Sequence, residues 1–381
     1  MQQQQADVAV VGAGIVGLAM AYKLAVKGKK VVLFERNSKA ISASIRNFGL
    51  VWPIGQRAGK MYDRAMHSRS VWKEIAAATG LQCQETGSLH LVYEKDELAV
   101  LEEFAQAAPG NGFNCELITP GNIGKYTSAI KTDGLKGALW SPTEMTVNPR
   151  VASATIAKYL EEKLNVIVRF NTAVNGISMP YIETKDERWR VDQVYVCSGA
   201  DFETLYPAAY ATAPLTKCKL QMMRTIPQPG NWQLGPALCA GLTLAHYASF
   251  NDCAALVPLK QRFQEEMPEY VKWGIHLLIS QNGAGELTIG DSHEYGPDFE
   301  PFDKAFINDL ILKYMHTFLD APTYTIQEQW HGIYPKLTNG GTELVMSPEK
   351  GVTVVNALSG AGMTLSFGLA EELTTATADN F

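Results

Sequence analysis

Residues 7–36 read Asp7-Val8-Ala9-Val10-Val11-Gly12-Ala13-Gly14-Ile15-Val16-Gly17-Leu18-Ala19-Met20-Ala21-Tyr22-Lys23-Leu24-Ala25-Val26-Lys27-Gly28-Lys29-Lys30-Val31-Val32-Leu33-Phe34-Glu35-Arg36. Val8 to Val11 is a short β-branched run of the kind that forms a buried strand. Gly12 to Gly17 then opens an apolar helix over Leu18–Ala25, and a turn at Lys27–Lys29 leads to a second strand, Val31–Phe34. Each glycine has its own task. Gly12 permits the tight turn, Gly14 lets backbone approach a pyrophosphate, and Gly17 lets the helix pack against the strand. A helix N-terminus presents unpaired N–H groups and partial positive charge, which suit a phosphate. Glu35 ends the second strand, where an acidic side chain accepts hydrogen bonds from a ribose. Strand, helix, second strand and acid together predict a dinucleotide-binding unit. The glycines alone would also suit an ordinary strand-to-helix turn.

The chain has 381 residues, enough for two domains, with 46% hydrophobic and 19% charged residues. A formal charge of −6 and the lack of a long Lys/Arg run argue against a nucleic-acid partner. Six scattered cysteines form no Cys-x-x-Cys pair, so neither a zinc site nor a thiol redox motif is expected, and no metal is assigned. The amino terminus lacks a basic n-region, and no apolar run approaches the roughly 20 residues of a membrane span. The expectation is a soluble, cytoplasmic protein with no membrane partner; the oligomeric state is left open.

After Arg36 the stretch Ser42–Gln56 looks like a structured loop, with Arg46 and Gln56 flanking apolar Phe48 and Trp52. It fits either a loop lining a polar pocket or a surface loop with a solvated arginine. Helices are predicted over 59–78, ended by Gly80, and, on an exposed face, over 96–107. Ser88–Tyr93 alternates like a strand. Asn148 is a plausible N-cap with Pro149 at the first position of a helix reaching Leu164. Strands follow at Val166–Phe170 and Val191–Val196, the latter ending in Cys197-Ser198-Gly199, which is either a ligand-facing turn or a plain one. Strands at 219–225, 275–280 and 286–289, with a hairpin turn at Gln281–Gly285, suggest an antiparallel sheet. Gly290-Asp291-Ser292-His293-Glu294 gathers polar groups at a strand end. A helix over 305–318 precedes Trp330-His331-Gly332-Ile333-Tyr334-Pro335-Lys336. The tail holds a strand, Val352–Ala357, then Gly360-Ala361-Gly362-Met363-Thr364 opening a last helix. This second glycine turn either faces a cofactor or serves helix packing.

In this order, the amino-terminal glycines with Glu35, Thr146–Arg150, Cys197–Gly199, Gly290–His293 and Gly360–Thr364 resemble the flavin-dependent amine oxidases related to D-amino-acid oxidase, glycine oxidase and sarcosine oxidase. The resemblance covers nearly the whole chain. It implies an α/β fold: a discontinuous Rossmann-like FAD-binding domain (1–82, 143–213 and 326–381) with an antiparallel-sheet α+β substrate domain (83–142 and 214–325). It implies non-covalent FAD, since the tail has no cysteine beside its motif. The implied FAD contacts are Gly12, Gly14, Ile15, Val16, Gly17, Glu35, Arg36, Ser44, Arg46, Asn47, Val174, Ser198, Gly199, Gly332, Gly360, Ala361, Gly362, Met363 and Thr364. Glu35 would take the adenosine ribose and Val174 the adenine through its backbone. Ser44 and Arg46 would lie near pyrophosphate and flavin, and Gly362–Thr364 by the pyrimidine edge of the ring.

The chain departs from this pattern at one place. Amino-acid members carry Trp-x-Gly-x-Arg-Pro, whose arginine clamps the substrate carboxylate; here Tyr334 stands in its place. A phenol donates one hydrogen bond and is uncharged at neutral pH, so it cannot copy a bidentate fork. The stretch Ser44–Gln56 resembles a subgroup linked to breakdown of N-methylated 2-aminoethylphosphonate. A tetrahedral dianion wants several donors, and Arg46, Gln56, His293, Tyr334 and Lys336 are the candidates for substrate contact and catalysis. His293 would also accept a proton or lie by the oxygen site, and His331 reads as structural. The implied reaction oxidises a small amine at its C–N bond by hydride transfer to FAD, with imine hydrolysis and reoxidation by O2 to H2O2. Three alternatives stand beside it: an oxidase of glycine or sarcosine type, a dehydrogenase using another acceptor, and a flavin module of a tRNA-modifying system.

Overall fold

Val8–Val11 is the centre of a six-stranded sheet in a computed structural model that describes residues 2–376. The strand order is Ile167–Arg169, Val31–Phe34, Val8–Val11, Gln193–Val196, Val352–Asn356 and Leu344–Glu349. All neighbours run parallel except the last pair. A parallel sheet is buried on both faces, which is why Val31–Phe34 is a continuous apolar run with every residue buried. The chain leaves Val8–Val11 towards one side of the sheet and returns on its other side. A crevice therefore opens at the strands' carboxyl ends, where open α/β sheets bind ligands.

One face of this sheet carries the helices Ile15–Val26, Lys60–Thr79, Pro149–Leu164 and Gly362–Ala376, packed into one apolar core. Trp72 and Phe367 meet edge to face at its centre, with ring centroids 5.3 Å apart. Burying side chains of this size stabilises by roughly 1.5–3 kcal/mol each. Asn148 caps its helix as expected, its side chain accepting the N–H of Arg150 at 3.1 Å, and Gly80 ends another helix in a left-handed conformation. The opposite face is covered by a hairpin sheet, Val174–Ser178, Tyr181–Thr184 and Glu187–Arg190, which pairs with Gln2–Gln5.

A nine-stranded, mainly antiparallel sheet forms the other half. It includes Ser88–Val92, Gly137–Ser141, Leu215–Thr225, Leu278–Gln281 and Leu287–Gly290, and rests on the helix Ala305–Phe318. Two details depart from the sequence reading. The helix Lys95–Ala107 is not exposed throughout: Val100, Leu101 and Phe104 are buried, so it is amphipathic. Ser88–Val92 is buried along its whole length, because it is an interior strand rather than a half-solvated one. The strand Ile326–Leu337, grouped in the sequence reading with the nucleotide-binding segments, pairs along its length with Leu215–Thr225 of the large sheet. Among the described residues no helix is long and apolar enough to cross a membrane, and all six cysteines are free.

Candidate active site

The cleft between the two sheets begins at the first glycine turn. Gly12 has φ +102°, and a Cβ there would stand 2.4 Å from the carbonyl oxygen of Cys197. A Cβ on Gly17 would lie 1.9 Å from the carbonyl oxygen of Gly12, so helix and turn touch backbone to backbone. Gly14, Ile15 and Val16 line the cleft. The Ile15 N–H, the first free donor of the helix, meets the Ser44 hydroxyl oxygen at 2.9 Å. Glu35 accepts from the Ala13 N–H at 3.0 Å and from the N–H and side chain of Asn37 at 2.9 and 3.0 Å. It thus ties the end of one strand to the glycine turn of the next. Arg36 turns outward to Asp201, 2.8 Å away. Val174 is buried at the start of the hairpin sheet. The Ser198 hydroxyl donates to the Asp201 carbonyl at 2.8 Å, while Gly199 lines the cleft. Gly12, Gly17, Glu35, Arg36, Val174 and Ser198 are not among the cleft-lining residues.

The loop after Glu35 and the last helix form the next wall. Asn47 holds the loop shut by donating to the carbonyls of Ala43 and Ser44 and accepting from Gly49 N–H. Arg46 lines the cleft and donates to the His331 carbonyl at 3.1 Å. The Thr364 hydroxyl accepts the Trp52 N–H at 3.0 Å and so joins the loop to the last helix. Gly360, Ala361, Gly362, Met363 and Thr364 all line the cleft, as does Gly332, which lies against Arg46 and Leu220. The Trp52 indole N–H is buried there without a partner.

The third wall belongs to the large sheet. Tyr334 lies in register with Cys218 and packs on Gly360, where an added Cβ would come within 3.1 Å of its ring. Burial, with Cys218 beside it, pushes the phenol's pKa well up. Gln56 and His293 also line the cleft. Lys336 does not line the cleft: it shares a strand face with Tyr334, and its Nζ meets the Tyr295 hydroxyl at 3.0 Å. His331 points to the opposite face of that strand and pairs with Asp303 at 2.9 Å.

Two cleft-lining groups have no counterpart in the sequence reading, His246 and His276; Asp291, within the Gly290–Glu294 stretch, lines the cleft as well but carries no assigned role in that reading. His276 Nε2 lies 3.0 Å from Asp291 Oδ1, in charge-pairing contact though off the line of an ideal hydrogen bond. His246 stacks on His276 with centroids 3.6 Å apart. Its ring is exposed in the cleft. Burial, then the neighbouring His276 and His293, hold its pKa well below the usual histidine range. Burial raises the Asp291 carboxyl, but His293 and His276 outweigh it and leave a net lowering. No local motif marks His246 or His276; the one sequence signal is that the chain has just 7 histidines and the fold brings three together.

Residues 7–376 match the family described as DAO, FAD dependent oxidoreductase. The chain belongs to that family. This flavoenzyme is similar to the glycine oxidase of Geobacillus kaustophilus, at 21% identity over 359 residues covering 90% of this chain and 85% of the relative. The crystal structure of that oxidase superposes with a TM-score of 0.76 at 20% identity, covering 97% and 94% of the two chains. The dithionite-reduced L-alpha-glycerophosphate oxidase from Mycoplasma pneumoniae with FAD bound also has a TM-score of 0.76, at 17% identity and coverages of 97% and 94%. Several other relatives are longer proteins. The flavoenzyme spans 20% of the 4-methylaminobutanoate oxidase (formaldehyde-forming) of Paenarthrobacter nicotinovorans, at 28% identity over 172 residues that are 44% of this chain.

The cleft fits the cofactor of the family. Two helices, Ile15–Val26 and Gly362–Ala376, begin at its wall. Their free N–H groups suit the negative charge of a pyrophosphate and of a flavin's pyrimidine edge. The close approach of Gly12, Gly14 and Gly17 keeps side chains out of the first turn. FAD supplies the hydride acceptor when bound.

Proposed function

We propose that the flavoenzyme oxidises a small amine bearing a phosphonate, with N-methylated 2-aminoethylphosphonate as the substrate class. The observation that supports it is the third wall. Tyr334, a buried phenol, occupies the place of a carboxylate-clamping arginine, and the cleft-lining groups able to carry positive charge are His246, His276 and His293, with Arg46 on the loop wall. Several donors spread around a concave wall match a tetrahedral oxyanion better than a planar carboxylate.

In this reading Gly12, Gly14, Ile15, Val16, Gly17, Ser44 and Asn47 cradle the pyrophosphate, and Glu35, Arg36 and Val174 the adenosine. Ser198, Gly199, Gly332 and Gly360–Thr364 bound the flavin. Arg46, Gln56, Tyr334 and His293 orient the amine so that its α-hydrogen faces the ring. Lys336 acts at a distance, through the positive field it adds to the cleft. Hydride loss from carbon leaves an imine, which water hydrolyses to an aldehyde and an amine; dioxygen accepts the electrons and leaves as hydrogen peroxide. The segments 1–82, 143–213 and 326–381 act as the cofactor domain and 83–142 with 214–325 as the substrate domain. The strand Ile326–Leu337 joins the two.

A second reading, oxidation of glycine or sarcosine, is favoured by the likeness to glycine oxidase over most of both chains. A peroxide assay with N-methyl-2-aminoethylphosphonate, 2-aminoethylphosphonate, sarcosine and glycine separates the two. Preference for sarcosine over both aminophosphonates defeats the phosphonate reading. Turnover with an artificial acceptor and no peroxide would instead make the enzyme a dehydrogenase.

A further inference from the structure

His246, His276 and His293 come from three separate stretches of the large sheet and its loops, yet one ring nitrogen of each lies within 4.8 Å of the other two. The rings are stacked. His246 is tilted 23° from His276 and 29° from His293, and His276 is tilted 16° from His293 at 5.2 Å. An imidazole lone pair lies in the ring plane, so near-parallel rings do not aim at a common point as metal ligands must. His246 is the exposed member of the stack, while His276 and His293 are buried.

The hydrogen-bond pattern leaves room for added protons. His276 places Nε2 on Asp291, so that nitrogen carries a proton, and its buried Nδ1 has no partner. His293 places Nδ1 2.8 Å from the Gly274 carbonyl, so that nitrogen is the donor. Its Nε2 then turns a lone pair towards Asp291 Oδ2, 4.0 Å away. Protonating Nε2 would convert that mismatch into an ion pair. His246 is open to the cleft. The charged and titratable groups around the stack are Asp291, Lys336, Tyr247 and Tyr295, with Tyr334 and Arg46 on the same cleft. Asp291 balances one imidazolium. Among the described residues lining the cleft a second has no acidic counter-charge, and a bound anion would supply it.

We propose that His246, the open edge of the His246–His276–His293 stack, contacts the substrate's tetrahedral oxyanion and that the stack takes up a proton from solvent as the anion binds. This rests on the phosphonate reading above and gives it a proton-coupled recognition element. No bond between heavy atoms changes. The proton moves from water or buffer to an imidazole nitrogen: on His246 the resulting N–H donates to an oxyanion oxygen, and on His293 it faces Asp291. Without the anion, burial and the neighbouring imidazoles lower the pKa of His246 and His293.

The test uses the FAD-loaded enzyme and two probes, methylphosphonate and methanesulfonate, by isothermal titration calorimetry in buffers of different ionisation enthalpy. The sulfonate carries no titratable proton, so uptake on its binding belongs to the protein. About one proton per anion is expected, and methanesulfonate affinity should fall by up to tenfold per pH unit between pH 6 and 8. His246→Gln, a cleft-facing change, should weaken methylphosphonate binding at least tenfold and reduce the uptake, with the flavin spectrum and FAD retention unchanged. His293→Gln should do the same. Binding without proton exchange, or no binding of either probe, overturns the proposal. So does equal affinity in both variants. The substrate reading fails separately: proton-coupled methylphosphonate binding with sarcosine as the sole amine turned over would keep the anion seat and discard the aminophosphonate. Aminophosphonate turnover with histidine-independent binding would do the reverse.

Discussion

Glu35 Oε2 accepts the backbone N–H of Ala13 at 3.0 Å, so the acid at the end of one strand also shapes the glycine turn at the end of its neighbour. Its other oxygen takes two donors from Asn37. The side chain is nearly buried, and a charged acceptor with three donors sits well there.

Glu35→Gln keeps the volume but turns an NH2 towards one of these donors. We expect FAD to bind about tenfold more weakly, a loss of about 1.4 kcal/mol, together with a lower thermal midpoint for the apoprotein. Release of flavin fluorescence on dilution reads the first effect and circular dichroism the second. Unchanged FAD affinity in a destabilised variant would confine Glu35 to shaping the turn.

Gly17 tests the backbone contact itself. Gly17→Ala brings a methyl to 1.9 Å from the Gly12 carbonyl oxygen, so helix and strand must separate. Overpacking of this kind costs about 1–3 kcal/mol. It would also move the helix N-terminus away from the cleft. The expected product is a folded but colourless protein with a lower urea midpoint. A yellow variant of ordinary stability would show that the helix tolerates the shift.

The glycine turn, Glu35 and the last helix were legible because their signals are local: a β-branched run, glycines at fixed spacing and a helix start lie within a few residues of one another. The third wall was only half legible. Tyr334 and His293 belong to recognisable stretches. His246 and His276 do not, since a lone histidine on a loop becomes part of a site only through long-range pairing such as Leu238 with Ile279 and Met222 with Gly290. Lys336 shows the limit of strand alternation. It shares a face with Tyr334 yet falls past the cleft, engaged by Tyr295. The burial of one face of Lys95–Ala107 was missed because its charged residues dominate the composition while Val100, Leu101 and Phe104 carry the packing.

Tyr334→Phe removes a single hydroxyl beside Gly360 and Cys218 and leaves the ring packing in place. If that hydroxyl orients substrate, kcat/KM for the best amine should fall about tenfold, equal to about 1.4 kcal/mol of transition-state stabilisation. The flavin spectrum should not change. An unaltered kcat/KM would assign Tyr334 to packing alone.

His90 gives a prediction about acid stability away from the chemistry. Its ring is 1% exposed, lies between Trp52 and Phe250, and has neither nitrogen hydrogen-bonded. Burial alone pushes its pKa down to about 3. The unfolded chain therefore binds a proton near pH 6.5 that the folded protein refuses. The stability tied to the neutral ring is fully present above that pH and drains away as pH falls towards 3. The loss is about 2 kcal/mol by pH 5, at a slope approaching 1.4 kcal/mol per pH unit. His246 and His293, also shifted down, add to the loss in the same direction. His90→Phe keeps a flat ring of similar size and removes an unpaired N–H, which costs about 1–3 kcal/mol when buried. The variant should unfold at higher urea than the wild type at pH 7.5, and the gap between the two should widen at pH 5. Parallel urea midpoints across that range would mean that His90 is protonated in the folded protein or reached by water.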